Sequence, residues 1–451
     1  MMKQTTLFLL LVLCIAATGF AKESALVVPQ GRLTLDEAWK AALDNFPGIQ
    51  EAQQRIEAAR AVLKQAKSAY LPSVTAQGGG KARDVTVQPD WNPYDRIDDS
   101  FNEMSVGISL TWLLFDGFSR EANTLAAIHG VELRKQRLAD TRRLLLKAVS
   151  TAFYQAQLAV EAMVVAKQNQ EFNQILEKDA RIKWQVGAAP EAEMLNFSVK
   201  ALQAESDFSA AERDFKIVCA ALAQLMALPE AHLPGELYPV RVTRKVGSPL
   251  ETFESDYTFA LAHRPDLKAL DAGVLVQEQL LRAEKGNYSP DIAFITGAGY
   301  MFQDGITVKD QEEHETYVGV VASWDLYTGG RRTGKIQEIN AGVRALAQQR
   351  KQLLLSISSS IRQTRARAET AFETYERQKR TLELTQRIRE HVETAYRAGA
   401  LPLTRLNQAQ TDLVRASGAV ALTWIQYRIA LVNLSAETGR IDLLPDSPPN
   451  S

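Results

Sequence analysis

The side chains best suited to chemistry sit in four short stretches. Gly329-Gly330-Arg331-Arg332-Thr333-Gly334-Lys335 carries the glycines and lysine of a phosphate-cradling loop, between an extended run and a helical one. Phosphoryl chemistry there needs a hydroxyl on the next residue to hold magnesium, and that residue is Ile336. The extended run also alternates, whereas the strand before such a loop is buried on both faces and continuously apolar. Glu312-Glu313-His314-Glu315 offers metal-donor types, but acidic runs in polar loops are ordinarily solvated charge. His263-Arg264-Pro265-Asp266 supplies an acid and an imidazole without a nucleophile, so Asp266 reads as helix-start chemistry. Cys219, in an apolar helical run, reads as a small buried hydrophobe. No catalytic residue, cofactor or metal is expected, and no enzyme. A net charge of −1 with 23% charged residues gives no electrostatic footprint for nucleic acid.

The elements that would carry these stretches are unusual in length. Ser119 to Val186 contains no proline and one glycine, Gly130, and is closed by Gly187-Ala188-Ala189-Pro190. Such a run reads as one helix, roughly 100 Å long at about 1.5 Å per residue. No single globular core is that wide. Leu145, Ala152, Ala159 and Ala166 recur every seven residues, and Val149, Ala156 and Met163 lie four after the first three. A sustained heptad of mostly small residues implies closely packed partner helices. The pattern then returns 212 residues later. Trp112-Leu113-Leu114-Phe115-Asp116-Gly117 becomes Trp324-Asp325-Leu326-Tyr327-Thr328-Gly329, and Gly187-Ala188-Ala189-Pro190 becomes Gly399-Ala400-Leu401-Pro402. Upstream the offset is 218, pairing Tyr70-Leu71-Pro72 with Tyr288-Ser289-Pro290. One unit is used twice.

Between the helical runs the period changes to two. Val106, Ile108, Leu110, Trp112 and Leu114 alternate with Gly107, Ser109, Thr111 and Leu113. In the copy Val318, Val320, Ala322 and Trp324 alternate with Gly319, Val321 and Ser323. Weaker partner strands are expected at 73–83 and 291–302, across polar loops at 84–103 and 303–314. Strands of about 10–12 residues suit a tilted membrane crossing, and soluble strands are nearer five or six. Aromatic residues gather near the strand ends, as in membrane girdles.

The expected layout begins with an export signal over 1–21: Lys3, an apolar core from Leu7 to Ala17, and small residues before a cut after Ala21. Leu11-Val12-Leu13-Cys14 partly matches a lipoprotein box, but Leu13 occupies the place of a small residue. A first repeat follows over 22–228, with a capping box at Thr34 to Glu37, a strand hairpin at 73–115, the long helix 119–186 and a return helix 190–228. A Pro-rich linker spans 229–256. The second repeat spans 257–439, with hairpin 291–327, long helix 331–398 and return helix 402–438, then a disordered tail at 440–451. Each return helix is too short to accompany its long partner. Adding the helix over 48–70, stacked end to end, makes up the length. The fold class is therefore mainly α with a small antiparallel β part. Four membrane strands cannot close a barrel, so several copies must share one. Three would give a 12-stranded β-barrel continued by a 12-column α-helical tube.

The duplicated hairpin, the long helix and the glycine–proline corner resemble the TolC-type outer-membrane efflux proteins, over about residues 33–439. The motifs that carry the resemblance are Tyr70-Leu71-Pro72, Leu110-Thr111-Trp112-Leu113-Leu114-Phe115-Asp116-Gly117 and Tyr396-Arg397-Ala398-Gly399-Ala400. It implies a homotrimeric exit duct in the outer membrane, extended into the periplasm, docking on a periplasmic adaptor and an inner-membrane transporter. The other reading is a soluble periplasmic coiled-coil adaptor or scaffold.

By this resemblance Val186, Gly187, Ala188 and Ala189, with Ala398, Gly399, Ala400 and Leu401, are the tips an adaptor grips; the plainer account is a left-handed helix stop. The family carries aspartates six and nine residues past the second corner's glycine, ringing a closed aperture. Here Arg405 and Gln408 stand there, and Glu193 and Asn196 hold the first copy's positions. An all-acidic ring is thus not expected. Arg405 and Glu193 instead are expected to pair across neighbouring hairpins, against the plainer account of two solvated charges. Val106, Ile108, Leu110 and Trp112, with Val318, Val320, Ala322 and Trp324, are expected to face outer-membrane lipid.

Overall fold

The computed structural model describes residues 31–87, 97–233, 250–305 and 311–441. The expected leader, Asp90 and Asp95 of the first loop, most of the linker and nearly all of the tail lie outside the described residues.

Two short helices, α1 (Leu35–Asn45) and α2 (Pro47–Ser68), lead into strands β1 (Ser73–Val87) and β2 (Ile97–Phe115). Helix α3 (Ser119–Gln185) follows, then its return, α4 (Glu191–Leu225). The second half repeats the order: α5 (Phe253–His263), α6 (Pro265–Gly286), β3 (Asp291–Gly305), β4 (Gln311–Ser323), α7 (Arg331–Arg397) and α8 (Leu403–Thr438). Local chemistry starts these helices. At α1 the Thr34 hydroxyl accepts from the Glu37 amide, and the Glu37 carboxylate accepts from the Thr34 amide at 2.9 Å. Pro47 and Pro265 open α2 and α6, where a missing N–H costs nothing. α3 and α7 each run 67 residues, on the order of 100 Å.

The strands form one antiparallel sheet in the order β1-β2-β3-β4, leaving β1 and β4 as open edges. They are longer than their apolar alternation. β1 continues to Val87 and β2 begins at Ile97, so the polar segments expected as loop are largely ladder. Backbone pairing carries an antiparallel ribbon outward whatever its side chains are. At the other end β4 stops at Ser323, so Trp324 stands beyond the strand in which it was expected. Register sorts the faces. Val74, Leu110, Thr296 and Val318 form one cross-strand row, and Ala76, Ile108, Ala298 and Thr316 the next. On the opposite face lie Ser73, Thr75, Gln77, Ser109 and Thr111, with an ion pair of Lys81 and Glu103 at 3.6 Å.

Around α3 the shorter helices do stack. α2 and α6 flank its strand-proximal half, while α4 and α8 flank its far half, with α7 beyond α6 and α8. The columns meet end to end at the middle. Asn45 donates its side-chain amide to the Met226 carbonyl at the end of α4. In the copy Arg264 donates to the Glu437 carbonyl at the end of α8, at 2.7 Å. The main core lies at this waist: Val149, Ala152 and Ala156 of the heptad are buried with Leu222, Tyr375 and Trp424, and half-buried Trp39 packs against them. Trp39 donates to the Ser150 hydroxyl at 2.8 Å, and the rings of Tyr375 and Trp424 lie 4.8 Å apart.

Beside that core is a charged knot. Arg143 donates to Asp140 and to the Ala436 carbonyl, and Arg264 makes bonds of 3.0 and 2.6 Å to Asp266 and 2.9 Å to the Glu437 carboxylate. Lys147 and Ser360 complete the shell of Glu437, at 3.1 and 3.0 Å. Asp266 therefore does more than start a helix: it anchors the guanidinium that joins α6 to α8. Burial pushes the Asp266 carboxyl up, but Arg264, its amide donor and the nearby Arg143 outweigh that and hold it below its ordinary range. Burial acts likewise on Glu437, and Lys147 and Arg264 overcome it. Both carboxylates are thus more acidic folded than unfolded. Their stabilisation is complete above their ordinary values of 3.8 and 4.5 and is lost as pH falls through the lower folded values. The melting temperature should therefore be flat near neutrality and drop below about pH 4.5, the upper of those ordinary values. Arg264→Ala should lower it already at pH 7, by about 3 kcal/mol of stability, because it takes the shared guanidinium from two largely buried carboxylates. Thermal unfolding across pH measures both.

Candidate functional site: hairpin tips and strand-to-helix junctions

The two far ends of the long hairpins are built alike. The Gly187 amide donates to the Trp184 carbonyl at 2.9 Å, and the Ala188 amide reaches back to Lys183 at 2.7 Å. In the copy Gly399 bonds Tyr396 and Ala400 bonds Ala395, both at 2.9 Å. This bond pair closes a helix only if its last residue is left-handed, and Gly187 and Gly399 have φ of 76° and 74°. Pro190 and Pro402 then open the return helices. Val186, Gly187, Ala188, Ala398, Gly399 and Ala400 are exposed, and Ala189 and Leu401 are half-buried. The tips thus present small side chains over a satisfied backbone.

Just behind the tips the two hairpins are sewn together. Leu176 and Ala180 of α3, Phe197 of α4 and Leu403 and Leu406 of α8 form a small apolar cluster, with Phe172, Val392 and Tyr396 around it. The Lys183 ammonium donates to the Tyr396 hydroxyl at 2.7 Å and lies 4.9 Å from its ring centroid. Glu177 accepts from Ser198 at 2.9 Å and from Arg181 at 2.8 Å, which hold its carboxyl below the usual range. Arg405, Gln408 and Asn196 are exposed and Glu193 is half-buried. Gln408 donates to Asp412 at 3.1 Å. Within one chain, among the described residues, Glu193 and Arg405 do not pair with each other. Spacing from the corner glycines points to these four positions but not to the Lys183–Tyr396 link. Its only local sign was Tyr396 inside Tyr396-Arg397-Ala398-Gly399-Ala400.

At the other end of each long helix an arginine clamps helix to sheet. Arg120 donates to the carbonyls of Leu113 at 2.6 Å and Leu114 at 3.0 Å, pairs with Asp116 at 3.1 Å, and lies 5.1 Å from the Tyr70 ring. Its counterpart Arg332 donates to the Asp325 carbonyl at 2.7 Å and lies 5.5 Å from the Tyr288 ring. Trp112 donates to the Tyr70 carbonyl and Trp324 to the Tyr288 carbonyl, each at 3.0 Å. Trp324 thus keeps the contact of its twin although its backbone has left the ladder. The arginine of the phosphate-loop-like stretch is accordingly a clamp, preceded by an antiparallel edge strand. Both clamps were missed from sequence, although their matching offsets were available as a signal. Val106, Ile108, Trp112, Val318, Val320, Ala322 and Trp324 are exposed, and Leu110 is half-buried on the same sheet face as the first three. Among the described residues no group of acidic, histidine or cysteine side chains is gathered as for a metal ion, and no helix is long and apolar enough to cross a membrane.

Comparison with known proteins gives a consistent picture. Residues 38–228 and 257–440 match the family model described as outer membrane efflux protein. The outer membrane efflux protein BepC of Brucella suis is 27% identical over 276 residues, which cover 60% of this chain and 56% of that one, so this match spans only about half of the relative. Protein CyaE of Bordetella pertussis is 24% identical over 92% of this chain and 86% of its own. The CmeC outer membrane channel of Campylobacter jejuni superposes with a TM-score of 0.78 at 16% identity, covering 93% of this chain and 91% of its own, which shows a shared fold.

The seam behind the tips makes a specific prediction. Tyr396→Phe keeps the ring in place and removes the bond to Lys183. A bond of this kind is worth about 1 kcal/mol net, so amides at 183–188 and 395–400 should exchange hydrogen roughly fivefold faster. The global melting temperature should not move, because the waist core is untouched.

Proposed function

Because this chain belongs to the outer membrane efflux protein family, we propose that it is the exit duct of an export machine, conducting solutes passively from the periplasm to the exterior. The observation that carries this reading is a four-stranded sheet with both edges open, continuous with two helical hairpins about 100 Å long. In hydrocarbon an open edge leaves N–H and C=O groups unpaired, and four strands are too few to close on themselves. Three copies supply twelve strands and leave a water-filled bore, with the apolar face carrying Val106, Ile108, Leu110 and Trp112 toward lipid.

The helical part supports the same pooling. Its lateral edges are α2 and α4 on one side and α7 on the other. Leu195, Val199 and Leu202 of α4 are exposed at helical spacing, as are Leu384 and Ile388 of α7. Side chains of this kind remain in water only at a cost of about 1.5–3 kcal/mol each relative to burial. Docking α7 of one copy on α4 and α2 of the next removes them. A soluble coiled-coil scaffold would explain the hairpins but has no use for 13–19-residue strands. The exposed small-residue tips at 186–189 and 398–401 suit the close approach of a periplasmic adaptor, through which an inner-membrane transporter would supply the driving force. Catalysis is left to those partners.

Within this reading Arg405 of one hairpin and Glu193 of a neighbouring one face each other around the periplasmic mouth and hold it narrow. Neither has a side-chain partner among the described residues of its own chain, which leaves both available to another hairpin. In detergent without boiling the mature protein should migrate as a trimer and fractionate with outer membrane. Glu193→Ala and Arg405→Ala should each raise single-channel conductance in planar bilayers. A soluble monomer would remove the duct, and unchanged conductance in both variants would remove the ion-pair gate.

A further inference from the structure

One cross-strand row of the polar sheet face departs from its surroundings. Thr75, Ser109, Gly297 and Tyr317 lie side by side on β1, β2, β3 and β4. This face carries the Lys81–Glu103 ion pair with Ser73, Thr75, Gln77, Ser109 and Thr111, so it is the face that meets water. A tyrosine standing upright on it would project into the bore. Tyr317 does not stand upright. A Cβ built on Gly297 would meet Cζ and Oη of Tyr317 at 2.7 Å and Cε1 at 2.9 Å. The far end of the ring therefore lies over the neighbouring strand, about 4.8 Å from its own, in space that any side chain at 297 would occupy. The Tyr317 backbone is held as well, since its carbonyl accepts from the Thr296 hydroxyl at 2.9 Å. Gly297 has an ordinary strand conformation, so what the position requires is the missing side chain.

The duplication supplies an internal control. The counterparts of Gly297 and Tyr317 are Gly79 and Ser105, and these also pair across their hairpin. Next to Gly79 the nearest side-chain atom is the Ser105 hydroxyl at 3.8 Å, which leaves room for a Cβ. The aromatic and its seat thus occur once per chain, giving three rings in a trimer rather than six.

We infer that Tyr317 sets the free width of the barrel bore and that Gly297 is its seat, keeping the ring flat against the wall so that bulky solutes pass. This rests on the duct reading above. Adding a methyl group at 297 displaces the ring, and the open direction is toward the lumen, where three rings converge. The effect is geometric, so it acts on large solutes and spares small ones.

The test reads passage through the barrel from outside, where a narrow periplasmic mouth does not interfere. Thr111→Cys places a thiol on the same face one row nearer the helices. Intact cells are treated with a small maleimide or one carrying a bulky polymer, and protein lacking the new thiol gives the background from Cys219. In a twelve-stranded bore, Gly297→Ala should slow bulky labelling by roughly threefold or more and leave small-reagent labelling unchanged. Tyr317→Ser, the residue the first repeat uses, should restore the rate when added to Gly297→Ala. Equal bulky-reagent rates with and without Gly297→Ala, or a loss that Tyr317→Ser does not reverse, would overturn the inference. Should Gly297→Ala fail to assemble, Tyr317→Cys with Gly297 intact decides: labelling from outside supports the lumenal ring, and protection from the small reagent overturns it. If Thr111→Cys is labelled by neither reagent in otherwise unaltered protein, the duct reading itself fails.

Discussion

A membrane interior offers a backbone no hydrogen-bond partners, and the architecture of this chain follows from that. Among the described residues its strands are gathered into one sheet whose inner pairs are complete and whose outer two edges are bare. In water such edges would be an aggregation hazard; in lipid they are untenable unless another edge meets them. The helices inherit the same incompleteness. Each end of the lateral series of columns carries exposed leucine, valine or isoleucine at helical spacing. Sheet and helices are unfinished on the same two sides, and in the proposed trimer one operation completes both.

Connecting so short a sheet to so long a tube concentrates mechanical demands at three levels. At the sheet, Arg120 and Arg332 tie carbonyls at the strand ends to the first turn of each long helix and lie against Tyr70 and Tyr288. At the waist, where two shorter helices replace one another along each column, the aromatic core and the Arg143–Arg264–Asp266–Glu437 knot hold the joints. At the tips, Lys183 on Tyr396 and a small apolar cluster keep the hairpins together. The two repeats solve the waist differently. Asn45 gives a neutral amide bond to the Met226 carbonyl in the first, while Arg264 makes a charged network in the second. The duplicated backbone is therefore more symmetric than its chemistry, a difference that recurs at Tyr317 and Ser105.

Much of this was legible in the residues. The capping box at Thr34, the glycine–proline corners and the helix lengths were readable because each depends on neighbours a few positions away. The apolar faces of β2 and β4 were readable because period-two alternation survives wherever one side meets a different solvent. The outer parts of the hairpins were not, because Asp84 and its neighbours are polar on both faces, and cross-strand bonds such as Ser100 to Asp84 leave no alternation in the sequence. Trp324 was placed in a strand by its match to Trp112, and the ladder ended one residue earlier. Asp266 was read as a helix start, and its partners Arg143 and Glu437 lie on helices far away in the chain.

What the sequence determined by itself was the inventory: two copies, their long helices, their hairpins, their corners, and the need for further copies. These follow from local propensity and periodicity, which act within a few residues. Which side chains meet across the bundle was decided only by the tertiary structure. Lys183 reaches Tyr396, and Arg143 reaches Asp266, because of the rotational phase of helices 67 residues long. An ideal helix drifts by about 20° per heptad against a seven-residue repeat, so over nine heptads a small difference in winding moves a residue from seam to solvent. That winding is set by all the packed neighbours at once.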